Sequence, residues 1–533
     1  MRRFLSPEPE VVITNAFARP FDNAVATART CYSGAGIVSE EGVLPSPPAD
    51  EQIRTRKAEA RDRLAQDLYR AGHHTTLQHA TFQFALSNVS RHFIWSFLHS
   101  HPFYNSEQVS QRYVAVREGS YAVPPLAGPS LAAYHDTVEA QNRAYRDLCE
   151  TLVPLVEREY FKRFEARSRR PEPWRKEIQK KAQEIARYVL PVATFAHMYH
   201  TVSGLTLLRY HRTSGQFDTP LEQRLVVEKM VERMLEHDPG YRAILEEPIP
   251  PDQTSEYVAL EAFQDGANGN GNQLRREFVA EFDASLEGRT SRLVDWSASN
   301  ETVLAQSVRE VFGLTRGRLA DEEAIALALD PARNSSLGDT LNTTTHSKLT
   351  RALFHAHYTF RKRLSHTADS QNQRHRMTPA SRPILAAHFT GDPDYVRPPL
   401  VDQDDRVRAA YVSAMERAWE GMARLRALGV EEEFALYLLP NAAAIRFTES
   451  TDLLNLRHKL AMRLCYNAQE EIWRASLDEA IQIREVNPVI GRYLLPPCTL
   501  RLMAKTTPIC PEGKRYCGER VWTYPLESYE RLI

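Results

Sequence analysis

Gln371-Asn372-Gln373-Arg374-His375-Arg376 sets two arginines around one histidine, and the rest of the chain is best understood outward from it. A guanidinium is planar, permanently charged and forked, so each arginine is suited to grip a phosphate or carboxylate through two parallel hydrogen bonds. The imidazole between them can stack, donate or titrate near neutral pH. A nucleotide or a dinucleotide cofactor offers the anions and flat rings that such a set would hold. As a bare tripeptide, Arg-His-Arg is more often a solvated basic patch. What separates the two readings is the sequence around it.

The chain has 533 residues, more than one hydrophobic core usually serves, so two or more domains are expected. Its 67 basic residues are balanced by 68 acidic ones, which leaves no bulk attraction to nucleic acid or to a membrane surface. Any anion site is therefore local. No apolar run reaches the roughly 18 residues that a membrane span needs. Met1-Arg2-Arg3-Phe4-Leu5 is followed by Glu8 and Glu10 rather than by an apolar stretch, so it is not read as a secretory signal. Six cysteines in so long a chain do not make a disulfide framework, and a cytoplasmic location is expected. Cys498, Cys510 and Cys517 crowd the C-terminus without the tight pair of most zinc sites, and no metal is assigned to them.

The order of landmarks repeats. Val11–Thr14 reads as a strand and Asn23–Tyr32 as a helix, and much later Arg292–Asp295 and Glu301–Arg309 read the same way. In both places 14 residues separate a polar strand end, Asn15 or Asp295, from an arginine, Arg29 or Arg309. His74, Leu77, Ala80 and Phe82 match His346, Leu349, Ala352 and Phe354 in register, and Arg187-Tyr188-Val189-Leu190-Pro191 parallels Leu436-Tyr437-Leu438-Leu439-Pro440. Each half carries a long amphipathic helix: Tyr134, Val138, Tyr145, Leu148 and Leu152 form one stripe, and Val407, Tyr411, Met415, Ala418, Met422 and Leu425 the other. Gln264–Gln273, rich in Asn and Gly, reads as a flexible linker. Two α+β units are expected, 1–262 and 276–533, joined by 263–275 and related by a pseudo-twofold axis.

The first half contributes Glu107-Gln108-Val109-Ser110-Gln111-Arg112-Tyr113, whose Ser110 and Arg112 could present a hydroxyl and a guanidinium to one phosphate while Tyr113 flanks a base. Upstream stand Gly72-His73, His79, Phe82, Phe84 and Ser90-Arg91. In the second half Ser365, Gln371 and Arg374-His375-Arg376 are followed far downstream by Arg463, Gln469, Glu471 and Ile472. This set resembles the signature segments of the flavin-dependent thymidylate synthases, and the resemblance spans most of both halves. Each half departs from the family's pattern in a different place. The first has His99-Ser100-His101 where the family has Arg-His-Arg and Ser96 where it has glutamine. The second has His366 for the arginine after Ser365, and Met377–Pro383 in place of the Ser/Glu/Arg-Tyr block. The family's glutamate falls on Glu107 or Gln108. Its flavin-contacting asparagines are replaced by Ser203 and Asp452 at one position and by Arg209 and His458 at the other.

The resemblance implies two tandem thymidylate-synthase-complementing-type units, each a small mixed sheet with long helices. It implies an enzyme that converts dUMP to dTMP with methylenetetrahydrofolate and NADPH through FAD. On this basis Arg463 is the catalytic candidate, set against the uracil. Gln371, Arg374, Ser110, Arg112 and Glu107 are candidates for nucleotide binding, and Arg374, His375 and Arg376 for the cofactor. Arg463, Asn467 and Glu470 or Glu471 would share one helical face, so that a neighbouring amide or carboxylate aims the arginine. A homodimer of double-length chains would pool what each half keeps. The alternative is a catalytically degenerate flavin- or nucleotide-binding paralogue, or a structural partner of a true synthase.

Overall fold

The computed structural model describes residues 3–98, 103–215, 220–265 and 271–533. His99, Ser100 and His101 lie outside them, as does the centre of the Asn/Gly-rich stretch, 266–270. Helices Ser255–Asp265 and Gly271–Ser285 run into that stretch from either side, so less of it is left for a linker than its composition implied. Beyond the expected linker, the second of these helices carries Phe278 and Phe282, one turn apart, whose rings meet at 5.9 Å.

Among the described residues, eight strands form two sheets. The first is built from β1 (Glu10–Ala16), β2 (Thr81–Ser90), β3 (Tyr104–Gln108) and β4 (Phe195–Ser203), in the order β1-β2-β4-β3. The second uses β5 (Ser291–Trp296), β6 (His357–Ser365), β7 (Ala380–Ser381) and β8 (Ala444–Asp452), in the equivalent order β5-β6-β8-β7. A mixed sheet is expected from the resemblance; among the described residues every ladder is antiparallel. The duplication extends to an irregularity. The register shifts between Ile13 and Asn15 in β1 and between Leu293 and Asp295 in β5, a bulge at the same place in each copy.

Strand alternation places Phe82, Phe84 and Leu86 of β2 in one core, with Phe93, Phe97, Val226 and Met230. The same row of β6 sends Tyr358 and Phe360 into the other, with Leu304, Leu456 and Ile483. Each large apolar side chain so buried contributes about 2 kcal/mol of transfer free energy.

The compact units do not follow the two sequence halves. One comprises residues 1–131, 192–271 and 430–437, and the other 132–191, 272–429 and 438–533. Both amphipathic stripes therefore lie in the second unit, on helices Gly128–Arg163 and Asp405–Ala427, and their apolar residues are buried. The two helices approach closely at Gly421. A Cβ built there would lie 2.9 Å from Cβ of Thr137 and nearer still to its Oγ1 and Cγ2.

Each unit is pinned by the same three residue types. Ser90 at the end of β2 caps the following turn by accepting from Phe93 N at 3.0 Å, and the buried carboxylate of Glu222 accepts from Ser90 N at 2.7 Å and from its hydroxyl. Tyr437 donates to the same carboxylate at 2.8 Å. In the second unit Ser365 caps helix His366–Asn372. Glu471 accepts from Ser365 N at 2.5 Å, from its Oγ at 2.6 Å and from Tyr188 OH at 2.6 Å. The tyrosines come from the paired Tyr-x-Leu-Pro segments. Each sits in the unit otherwise built mainly from the opposite half of the chain.

Two outcomes are expected. Burial pushes the Glu222 carboxyl up to about 7, against the hydrogen bonds from Ser90 and Tyr437 that favour its charge. Its contribution to stability is full below the unfolded carboxyl pKa and is lost as pH rises to about 7. Glu222→Gln should abolish that loss, roughly 3 kcal/mol between pH 4.5 and 7.5, as read by urea unfolding across that range. Gly421→Ala should lower stability by about 1–3 kcal/mol although alanine is the better helix former, and Thr137→Ala in the same chain should recover part of it, as measured by thermal unfolding.

Candidate functional site

The second unit gathers the residues singled out in the second half. Helix His366–Asn372 starts at Ser365, and its Asp369 is held by a two-pronged bond from Arg382 at 2.8 and 2.9 Å. The helix then relaxes into turns, with Arg374 N donating to Gln371 O at 3.3 Å and His375 N to Asn372 O at 3.0 Å. This leaves Arg374 exposed and His375 and Arg376 half-buried. Arg463 closes the group. Its Nε donates to His375 Nε2 at 2.8 Å and its Nη2 to Gln371 O at 2.9 Å. Because Nε2 accepts, the imidazole is neutral with its proton on Nδ1. Burial, with the charges of Arg463 and Lys459 beside it, holds His375 well below its ordinary range.

The Gln371 side chain donates to Gln469 Oε1, which also accepts from Arg187 at 2.7 Å. Gln469 in turn donates to Tyr188 OH, and Tyr188 to Glu471. One chain of hydrogen bonds thus runs from the capping serine to the glutamine at the head of the motif. Arg187, Tyr188 and Gln469 were not among the sequence candidates. For Arg187 and Tyr188 the signal was the twice-occurring Tyr-x-Leu-Pro landmark, which marks a repeated packing position without saying what it touches; Gln469 stood in the signature segment after Arg463 but carried no assigned role.

The expected helical face for Arg463 is not formed. Arg463 is the last residue of helix Leu453–Arg463, and a new helix starts at Glu470. Asn467 lies in the turn between them and donates to Arg515 O at 2.6 Å, while Glu470 pairs with Arg474. The arginine is aimed by His375 and a backbone carbonyl instead. Glu107, Ser110 and Arg112 lie in the first unit. Glu107 is exposed on β3, Ser110 Oγ accepts from Arg112 N at 3.3 Å, and the Arg112 guanidinium lies 5.5 Å from the Tyr113 ring. Gln108 accepts from Arg91 at 2.7 Å.

A flavin dinucleotide would bring phosphates and flat rings. Arg374 and Arg376 suit the former. Gln373 is buried with neither amide atom bonded, the kind of group that a ligand's polar edge satisfies. These residues fit a phosphate-bearing cofactor. The positions of the family's asparagines are committed otherwise: Ser203 and Asp452 cap helices by accepting from Thr206 N and Asn455 N, Arg209 meets His74 at 3.2 Å, and Asn342 meets His458 at 3.2 Å.

Behind the motif lies a buried group of four charges. Lys362 Nζ is 2.7 Å from Glu479 and also bonds Glu449, and Lys459 reaches both carboxylates; all four side chains are within 1% of full burial. Asn372 donates to the other oxygen of Glu449 at 2.6 Å, which ties the helix carrying Gln371 to β8. Burial alone would raise the Glu449 pKa, but the two ammonium groups hold it well below the usual carboxylate range. Glu449→Gln should cost about 3–5 kcal/mol, because it leaves two ammonium groups facing one carboxylate, and adding Lys459→Met should return much of it. A denaturant-midpoint comparison of the two variants checks this.

The chain matches the family model described as thymidylate synthase complementing protein twice, over residues 13–240 and 292–489. It is 27% identical over 210 residues to a flavin-dependent thymidylate synthase of Clostridium tetani, covering 39% of this chain and 70% of that one. It is 31% identical over 170 residues to the Geobacter sulfurreducens protein of the same name, covering 31% and 70%. It is 29% identical over 189 residues to that of Nitratidesulfovibrio vulgaris, covering 33% and 71%. With the model matched in both halves and the sheet duplicated strand for strand, the chain belongs to the thymidylate synthase complementing protein family, the flavin-dependent thymidylate synthases, as a tandem of two units.

Proposed function

We propose that the protein is an enzyme that methylates dUMP to dTMP, with methylenetetrahydrofolate as one-carbon donor and NADPH as reductant through FAD. The observation that carries this reading is the meeting of Arg463 with His375 and Gln371, which joins the Arg-His-Arg stretch to the segment that follows Arg463 in one unit. A bound flavin supplies the hydride chemistry, which no side chain can provide.

The protein's own part is electrostatic. A guanidinium held at two points against the uracil edge favours the ionised ring and so the nucleophilic carbon. Preorganised charge of this kind is worth about 3 kcal/mol of barrier. The neutral His375 orients that guanidinium without adding a second positive charge. Arg374, with Gln371 beside it, serves the nucleotide, while His375 and Arg376 serve the cofactor. Ser110 and Arg112 are assigned to the nucleotide phosphate and Glu107 to the nucleotide apart from its phosphate, and the assembly this calls for is a homodimer of the double-length chain. A cysteine nucleophile is not required. Cys465, two residues beyond Arg463, is pushed up to about 11 by burial, so its thiolate is scarce at neutral pH.

Arg463→Lys keeps the charge and loses the two-point grip. It should lower kcat for dTMP formation by about 10²- to 10³-fold while FAD uptake, read from the flavin absorbance, is unchanged. Activity within a few-fold of the parent protein would remove Arg463 from the role. A protein that takes up FAD and bleaches with NADPH but forms no dTMP would be the degenerate, flavin-binding paralogue instead. The replaced asparagine positions favour that second reading.

A further inference from the structure

The second unit contains a cavity of about 650 Å³ to which none of Gln371, Arg374, His375, Arg376 and Arg463 contributes. Its walls are the end of helix Gly128–Arg163, helix Arg175–Ala186, the turn after Arg463 and the segment 514–533, which lies beyond the region matched by the family model. Eight basic side chains line it against four carboxylates, together with five aromatic rings. A cavity of this volume suits a nucleotide-sized ligand.

The lining is organised. The Arg167 guanidinium lies 4.1 Å from the ring centroids of both Phe164 and Trp174 and donates to Tyr160 OH at 2.5 Å. Gly518, with φ +96°, leaves room for it: a Cβ there would stand 2.8 Å from Arg167 Cζ and from Phe164 Cε1. Arg163 and Arg531 both lie over Tyr466, at 6.0 and 5.9 Å. Two of the four carboxylates are already engaged, Glu519 by Arg163 and Glu159 by Lys162. Lys176 and Lys514 have no ion-pair partner among the described residues, so the cavity keeps ammonium groups outside any salt bridge beside its aromatic rings. Guanidinium planes on aromatic rings and unpaired lysines together recognise flat rings with attached anions.

We propose that this cavity is a second ligand site, for a small molecule that joins an aromatic ring to two or more anionic groups. Nucleoside di- and triphosphates carry that chemistry, and so do pteroyl oligoglutamates. The cavity shares Lys181, Leu532 and Ile533 with a narrow recess lined by Tyr188, Gln469 and Glu470, so its occupant lies next to the amide pair that holds Gln371.

The test is titration calorimetry on the full chain with ADP, pteroyl triglutamate and inorganic pyrophosphate as probes, in the parent protein, Lys176→Ala/Lys514→Ala and Arg463→Ala. One of the two aromatic probes should bind, lose roughly tenfold or more in affinity in the double lysine variant, and hold within about twofold in Arg463→Ala. Preference for ADP assigns a nucleotide, and preference for the pteroyl compound assigns a folate-like anion. The proposal is overturned if neither aromatic probe binds, if pyrophosphate binds as tightly as they do, or if the double lysine variant binds like the parent. Loss of affinity in Arg463→Ala rather than in the lysine variant overturns it too, by placing the probe at the other site. Because the readout is binding, the outcome stands apart from whether the protein makes dTMP.

Discussion

A buried carboxylate at the end of the second strand of each sheet fastens each unit. Glu222 and Glu471 come from helices late in their halves, yet each accepts from the backbone and hydroxyl of a serine that turns strand into helix, and from a tyrosine supplied by the other copy's landmark. Three donors on one desolvated acceptor fix the direction in which the next helix leaves the sheet. In the second unit that helix carries Gln371, and the stretch that follows it carries Arg374, His375 and Arg376, so their placement rests on Ser365 and Glu471.

The two units solve the space behind that helix differently. The residue opposite Phe84 of β2 is His200, and the residue opposite Phe360 of β6 is Glu449. In the first unit His200 lies among Phe97, Tyr104 and Tyr210, a largely aromatic cluster. In the second, Glu449 anchors four buried charges. Removing four charged groups from water is expensive, and an apolar core of equal volume is often as stable. What the charged version provides is a direct bond from Glu449 to Asn372. It occurs in the unit that carries the Arg-His-Arg stretch, and no such bond is found among the described residues of the other.

Strand and helix periodicity, the duplicated landmarks and the Asn/Gly-rich stretch made the two-sheet α+β architecture legible, because each is a local pattern with a local cause. The partners of Arg463 were not legible. Local pattern carries a helix straight through Asn467, whereas the chain breaks there, and the orienting contacts come from residues 88 and 92 positions earlier. Lys362 was visible in principle as a charged residue on the core-facing row of an alternating strand, but its two carboxylate partners lie on two other elements. The assignment of residues 132–191 to the second compact unit left no local trace either, since an amphipathic stripe records that a helix is covered and not what covers it.

That exchange bears on the history of the chain. Tyr188 and Tyr437 each complete a carboxylate pin in the unit to which the opposite half contributes most, so neither half retains a full set of donors by itself. A gene fission at the Asn/Gly-rich stretch would yield two polypeptides that each lack one hydroxyl the other holds. Fusion, once followed by this trade of segments, acts as a ratchet: the copies are free to diverge in sequence but no longer to part.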